Sequence, residues 1–139
     1  MHLTRTADYA VRMVVYLAAE GGVRSSKEIG EGTDVSRDYV TQISAPLRRR
    51  GVIRSVAGPR GGYEMARPTD RVTLFDLVDA AEPVILDRGL APGAGDCPVR
   101  RAYARVQAVL EEALKGVTVG QLLDDDGAPP GRSIPAEGG

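Results

Sequence analysis

Two residue types with reactive side chains occur once each in the chain's 139 residues: Cys97 and His2. One thiol excludes an intrachain disulfide and an all-cysteine metal site within a single chain. One histidine beside the N-terminus, with no nucleophile–base pair to assemble around it, argues against an enzyme. The sequence Asp96-Cys97-Pro98 opens a long helical pattern, with Arg100 and Arg101 within one turn. Helix starts and neighbouring guanidinium groups favour thiolates in general. Cys97 is therefore a candidate redox switch, and a cysteine of no regulatory use is the plain alternative.

The second chemical pattern is charge. The net charge is −1, but residues 1–72 carry 12 Lys or Arg against 8 Asp or Glu, and residues 73–139 carry 6 against 11. Within 36–72 the count is 8 against 3. A basic segment inside a near-neutral chain points to nucleic acid, with a solvated basic face as the alternative. No stretch of 18 apolar residues is present, which excludes a membrane-spanning helix, and MHLTRTADYAVRM lacks a signal-peptide core. The expected compartment is the cytoplasm, and no membrane partner is expected.

These groups must be positioned by secondary structure. Ala7, Val11, Val14 and Ala18 recur at helical spacing between Thr4 and Glu20, and Gly21-Gly22 stops that helix. Ser25-Ser26-Lys27-Glu28 signals a second, short helix that Gly32 ends. Ser36 caps a third, from Arg37 to about Arg50, with Val40, Ile43 and Leu47 facing inward and Pro46 expected to kink or shorten it. Two helices joined by a tight turn, the second polar and basic outside, form a helix-turn-helix pattern. The period then changes: Val52–Val56 and Tyr63–Ala66 read as strands around the turn Gly58-Pro59-Arg60-Gly61-Gly62. A nucleotide-binding loop is excluded in practice, because no Gly-Lys-Ser or Gly-Lys-Thr follows.

Thr73 caps a fourth helix, Leu74–Ala81. After a loop over 84–96, the longest helix runs from about Val99 to Leu114. Val99, Ala102, Val106, Val109 and Ala113 form an apolar stripe on it, with Tyr103, Leu110 and Leu114 alongside. A small domain cannot bury both sides of such a stripe against itself, so a partner copy of the same helix is the economical solution. Packing on the chain's own core is the competing explanation. Thr118–Leu123 adds a short helix. The expected fold is mainly α with a small β-hairpin wing, organised as a winged helix-turn-helix at 1–83, a sensor loop and dimerisation helix at 84–123, and a disordered tail at 124–139.

LTRTADYAVRMVVYLA, VSRDYVTQISAPLRRRGVIRSVAGPRGGY, TLFDLVDAAE and TVGQLL together resemble successive blocks of one bacterial winged-helix family. It is the family of the iron–sulfur regulator IscR, the nitric-oxide sensor NsrR and the cysteine regulator CymR. The resemblance spans about residues 1–123, and RRGVIRSVAGPRGGY is its most specific piece. It implies a homodimeric transcription factor, usually a repressor, bound to double-stranded operator DNA. It places Ser36, Arg37, Tyr39, Thr41 and Gln42 at the groove-facing end of the third helix. Gln suits a two-bond contact to adenine, and Arg suits guanine or phosphate. Arg48, Arg49 and Arg50 fall to the DNA backbone or to solvent, and Arg60 to a narrow minor groove. Two departures mean that the operator cannot be copied from a relative. Ala57 stands where iron–sulfur members carry an arginine, and Thr41 stands where IscR has a discriminating glutamate.

Cluster-binding members hold three cysteines ahead of the dimer helix, and only Cys97 matches one of them. Arg100 occupies the place of IscR's histidine ligand, while Asp8 matches the aspartate ligand of NsrR-type members. Asp8 also reads simply as an acid favoured at a helix start. No cofactor is expected, and an iron–sulfur cluster with an incomplete ligand set is the alternative. Three functions stay open: a DNA-binding repressor responsive through Cys97 or through a small-molecule or protein effector, an atypical cluster sensor, and a protein-interaction adaptor that has lost its operator.

Overall fold

The computed structural model of the chain describes residues 4–82 and 97–126. Its elements run α1 (Arg5–Glu20), α2 (Ser26–Thr33), α3 (Arg37–Arg49), β1 (Ile53–Val56), β2 (Gly62–Met65), a 3-10 turn (Thr69–Arg71), α4 (Leu74–Ala81), α5 (Pro98–Lys115) and α6 (Val119–Asp126).

Side-chain oxygens fix where the first four helices begin. Thr4, Ser25, Ser36 and Thr73 accept the backbone N–H groups of Ala7, Glu28, Tyr39 and Asp76. Each such cap stabilises its helix by about 1 kcal/mol. At Ser25 and Thr73 the acid at the third helical position returns the bond, completing a capping box. Those bonds, above all the one from the Ser25 backbone N–H, hold the Glu28 carboxyl below its ordinary range. Two local readings change. Gly32 does not end α2, which continues to Thr33 and stops at Asp34 in the left-handed conformation, φ 59°. Gly32 lies against the Tyr16 ring instead, which would have to shift to admit a Cβ there. Pro46 does not shorten α3, which runs through it to Arg49.

The apolar faces of α1 to α4 converge on one core, in which Met13, Leu17, Ile29, Leu47, Ile53 and Leu77 are fully or almost fully buried. β1 and β2 pair antiparallel with Ile53 opposite Met65 and Arg54 opposite Glu64. Arg24 and Tyr63 exchange two backbone hydrogen bonds of 2.9 Å, so the α1–α2 connection lies along β2 as a one-residue third strand. A side chain at Gly62 would strike the Arg24 carbonyl, which is why only glycine lets the two backbones approach.

The chain's last described helix returns to this core. Leu74 N–H donates to the Val117 carbonyl and Val119 N–H to the Val72 carbonyl, both at 2.8 Å. Val119 is fully buried, and Leu122 and Leu123 pack beside it. The helix expected over Thr118–Leu123 thus spans Val119–Asp126, three residues into the segment read as tail. The loop expected at 84–96 and the rest of the tail, 127–139, lie outside the described residues. Among the described residues no helix is long and apolar enough to cross a membrane.

Candidate nucleic-acid interface

Val40, Ile43, Ser44 and Leu47 turn one side of α3 into the core, and the Ser44 hydroxyl donates to the Thr41 carbonyl at 2.7 Å. That leaves Arg37, Asp38, Thr41, Gln42, Arg48 and Arg49 exposed on the other side. Arg37, Gln42, Arg48 and Arg49 make no side-chain hydrogen bond or ion pair among the described residues. Their hydrogen-bonding groups are free for an anion or a base edge.

Ser36 and Tyr39 are differently placed. The Ser36 hydroxyl is committed to the helix cap, 3.2 Å from the Tyr39 nitrogen. The half-buried Tyr39 hydroxyl lies 2.6 Å from Thr6 Oγ1, and its ring meets Tyr9 edge-to-face at 5.3 Å. Tyr39 therefore ties the first turn of α3 to α1 and fixes its direction. The Thr41 hydroxyl donates to the Arg37 carbonyl at 3.2 Å and remains exposed.

The three consecutive arginines at the end of α3 divide two to one. Arg48 and Arg49 are exposed, whereas Arg50 is half-buried. Arg50 pairs with Asp79, reaches Asp76 at 3.5 Å, and lies over the Phe75 ring with its guanidinium carbon 5.3 Å from the centroid. Lys115 of α5 approaches the same ring at 4.8 Å. This junction of α3, α4 and α5 was not visible in the sequence. The only hint was the i, i+3 repeat of Asp76 and Asp79.

In the wing, Gly58 adopts φ 103° and accepts the Gly61 N–H at 2.9 Å, closing the turn that carries Arg60. Arg60 is exposed and unpaired among the described residues. Behind the tip, Arg54 pairs across the strands with Glu64 at 2.8 Å. Arg67 is spent on the Gly51 and Arg71 carbonyls, each at 3.2 Å.

The long helix α5 has a different outer face. None of its residues is fully buried. Gln107, Leu110 and Leu114 face Phe75 and Val78 across a narrow crevice against α4. On the other side Val99, Tyr103, Val106 and Val109 are 52%, 38%, 56% and 70% exposed, in line with exposed Ala113 and half-buried Ala102. Cys97 caps the helix: its Sγ accepts the Arg100 N–H at 3.4 Å. Asp8 pairs with Arg12 at 2.8 Å.

Residues 3–125 match the Rrf2 family, described as iron-dependent transcriptional regulators. Protein aau3 of Rhizobium meliloti is 34% identical over 131 residues, covering 88% of this chain and 85% of that protein. The structure of CymR, the global cysteine regulator of B. subtilis, superposes with a TM-score of 0.73 at 24% identity, over 89% of this chain and 97% of that one. IscR of T. potens superposes with a TM-score of 0.72 at 27% identity, over 96% and 93%. The chain belongs to the Rrf2 family: it is a winged-helix, DNA-binding transcriptional regulator and not an enzyme.

The family's association with iron raises the question of a cluster. Iron–sulfur clusters are held chiefly by thiolates, four in the common types. This chain supplies one, Cys97, and its matching carboxylate, Asp8, is held by Arg12. Among the described residues no three His, Cys, Asp or Glu side chains gather where a metal ion would sit. The donor set does not fit a cluster.

Proposed function

We propose that this Rrf2-family chain acts as a homodimeric repressor, with α3 entering the major groove of operator DNA and the Arg60 turn reaching a minor groove. The observation that carries the reading is the outer face of α3, where Arg37, Gln42, Arg48 and Arg49 are exposed and unpaired while Val40, Ile43 and Leu47 are turned inward. Ser36 and Tyr39 serve this face by holding its first turn, and Thr41 lies beside Gln42 on it. The two-copy part rests on the apolar stripe Val99, Ala102, Val106, Val109 and Ala113. A second α5 would cover this stripe and set two recognition helices against two half-sites.

The signal is assigned to Cys97, because its sulfur caps the pairing helix and chemistry at that atom acts on the start of α5. A small-molecule or protein effector is the competing signal. The deciding experiment is binding of promoter-region DNA across a salt series. Several arginine–phosphate contacts release counterions, so affinity should fall on the order of a thousandfold or more between 50 and 200 mM salt. A nearly flat dependence would favour the adaptor reading.

A further inference from the structure

The geometry points to Asp38 as a specificity-determining residue that reads the exocyclic amino group of a cytosine in the major groove. The inference rests on α3 being the recognition helix. At about 100° per residue around an α-helix, the buried set Val40, Ile43, Ser44 and Leu47 defines one direction, and Asp38, Gln42 and Arg49 fall opposite it, within about 40° of one another. Arg37 and Thr41 lie towards the flank. Asp38 is therefore aimed at the groove floor more directly than the arginine before it.

Its carboxylate is exposed and makes no hydrogen bond or ion pair among the described residues. Asp8, Glu28, Glu64, Asp76 and Asp79 are each paired with an arginine. Glu20, Glu31, Asp34 and Asp70 are exposed and unpaired among the described residues like Asp38, so it is the place of Asp38 opposite the core of α3 that sets it apart. A free carboxylate at the centre of a DNA-facing surface repels phosphates, so its presence needs a compensating donor. Asp38 also stands in the first turn of α3, where the helix dipole favours an acid, and a donor on the DNA adds to that.

The major-groove edges identify the donor. Guanine presents two acceptors and thymine one, all of which repel a carboxylate. Adenine sets its acceptor N7 beside its amino group. Cytosine alone offers an amino donor with no acceptor on its own edge, which makes it the base that pairs with Asp or Glu. The first turn is held by the Ser36 cap and by the 2.6 Å contact of Tyr39 with Thr6, so the direction of Asp38 is fixed before DNA arrives.

The test is selection from a random duplex pool by the full-length wild type, Asp38→Asn and Asp38→Ala at one salt concentration. The wild type should select a C·G pair at one position of each half-site. Replacing that pair should weaken binding about 5- to 150-fold, the range of one well-made base contact. Asp38→Asn should move the preference there to adenine, whose N6 and N7 match an amide, and Asp38→Ala should erase it while the rest of the site persists. Identical selected sites for all three proteins, with the variants binding every sequence more tightly by one common factor, would overturn the proposal and leave the recognition helix intact. A wild type that selects no sequence would overturn the recognition-helix reading and this inference with it.

Discussion

α3 and α5 each turn a whole face to solvent, but the two faces are opposites. α3 buries four residues and exposes guanidinium, amide and carboxylate groups that water solvates well. α5 is longer, 18 residues against 13, buries none of them completely, and exposes valines. Apolar area left in water costs about 25 cal/mol per Å². On the reading proposed above, the α3 surface is finished in one chain, while the α5 stripe would be finished only when a second copy covers it. Polarity of the exposed face, more than exposure itself, separates a ligand surface from an assembly surface.

The most severe way to break this contrast is to give α5 the chemistry of α3. Val106→Asp with Val109→Asp would place two unpaired carboxylates in the stripe, at several kcal/mol each once covered. Light scattering should report monomer or aggregate. A persistent dimer would move the interface elsewhere.

Next in size, Arg60→Ala should weaken DNA binding by about 1–3 kcal/mol if the wing docks, and Arg132→Ala, in the C-terminal segment, should leave it nearly unchanged. Equal losses from both in a titration would reduce the wing to diffuse charge. The arginine triplet gives a finer test. Arg50→Ala strands Asp79, while Asp76 keeps its bonds to Thr73, and should cost about 1–2 kcal/mol of stability in urea unfolding. Arg48→Ala should stay within about 0.5 kcal/mol and act on DNA affinity instead. If the two variants unfold alike at the same protein concentration, the α3–α4 junction contributes nothing.

The smallest effect belongs to Cys97→Ser. Serine also caps helices, so dimerisation and DNA binding under reducing conditions should not change, and only the response to peroxide should vanish. A wild type and variant that respond identically to oxidant would leave the signal to an effector.

The helices and the hairpin were legible because their signals are local: hydroxyl caps at Thr4, Ser25, Ser36 and Thr73, apolar periodicity, and glycines at the wing turn. What escaped is what depends on residues far apart in sequence. A single bridge between Arg24 and Tyr63 has no period. Arg50 is indistinguishable from Arg48 until α4 lies beside it. Tyr39 and Thr6 are both ordinary polar residues until α1 crosses α3.

The return of the chain through Val117–Val119 also sets an order of events during synthesis. A nascent chain that has reached Glu82 contains the entire helix-turn-helix and wing, but it lacks the backbone that bonds Val72 and Leu74 and the valine that fills the core beside them. Closing contacts of such high sequence separation comes late in folding. The DNA-reading half is therefore completed only after the long helix has been made. A chain truncated at Glu82 would lack both of those backbone bonds and the buried Val119.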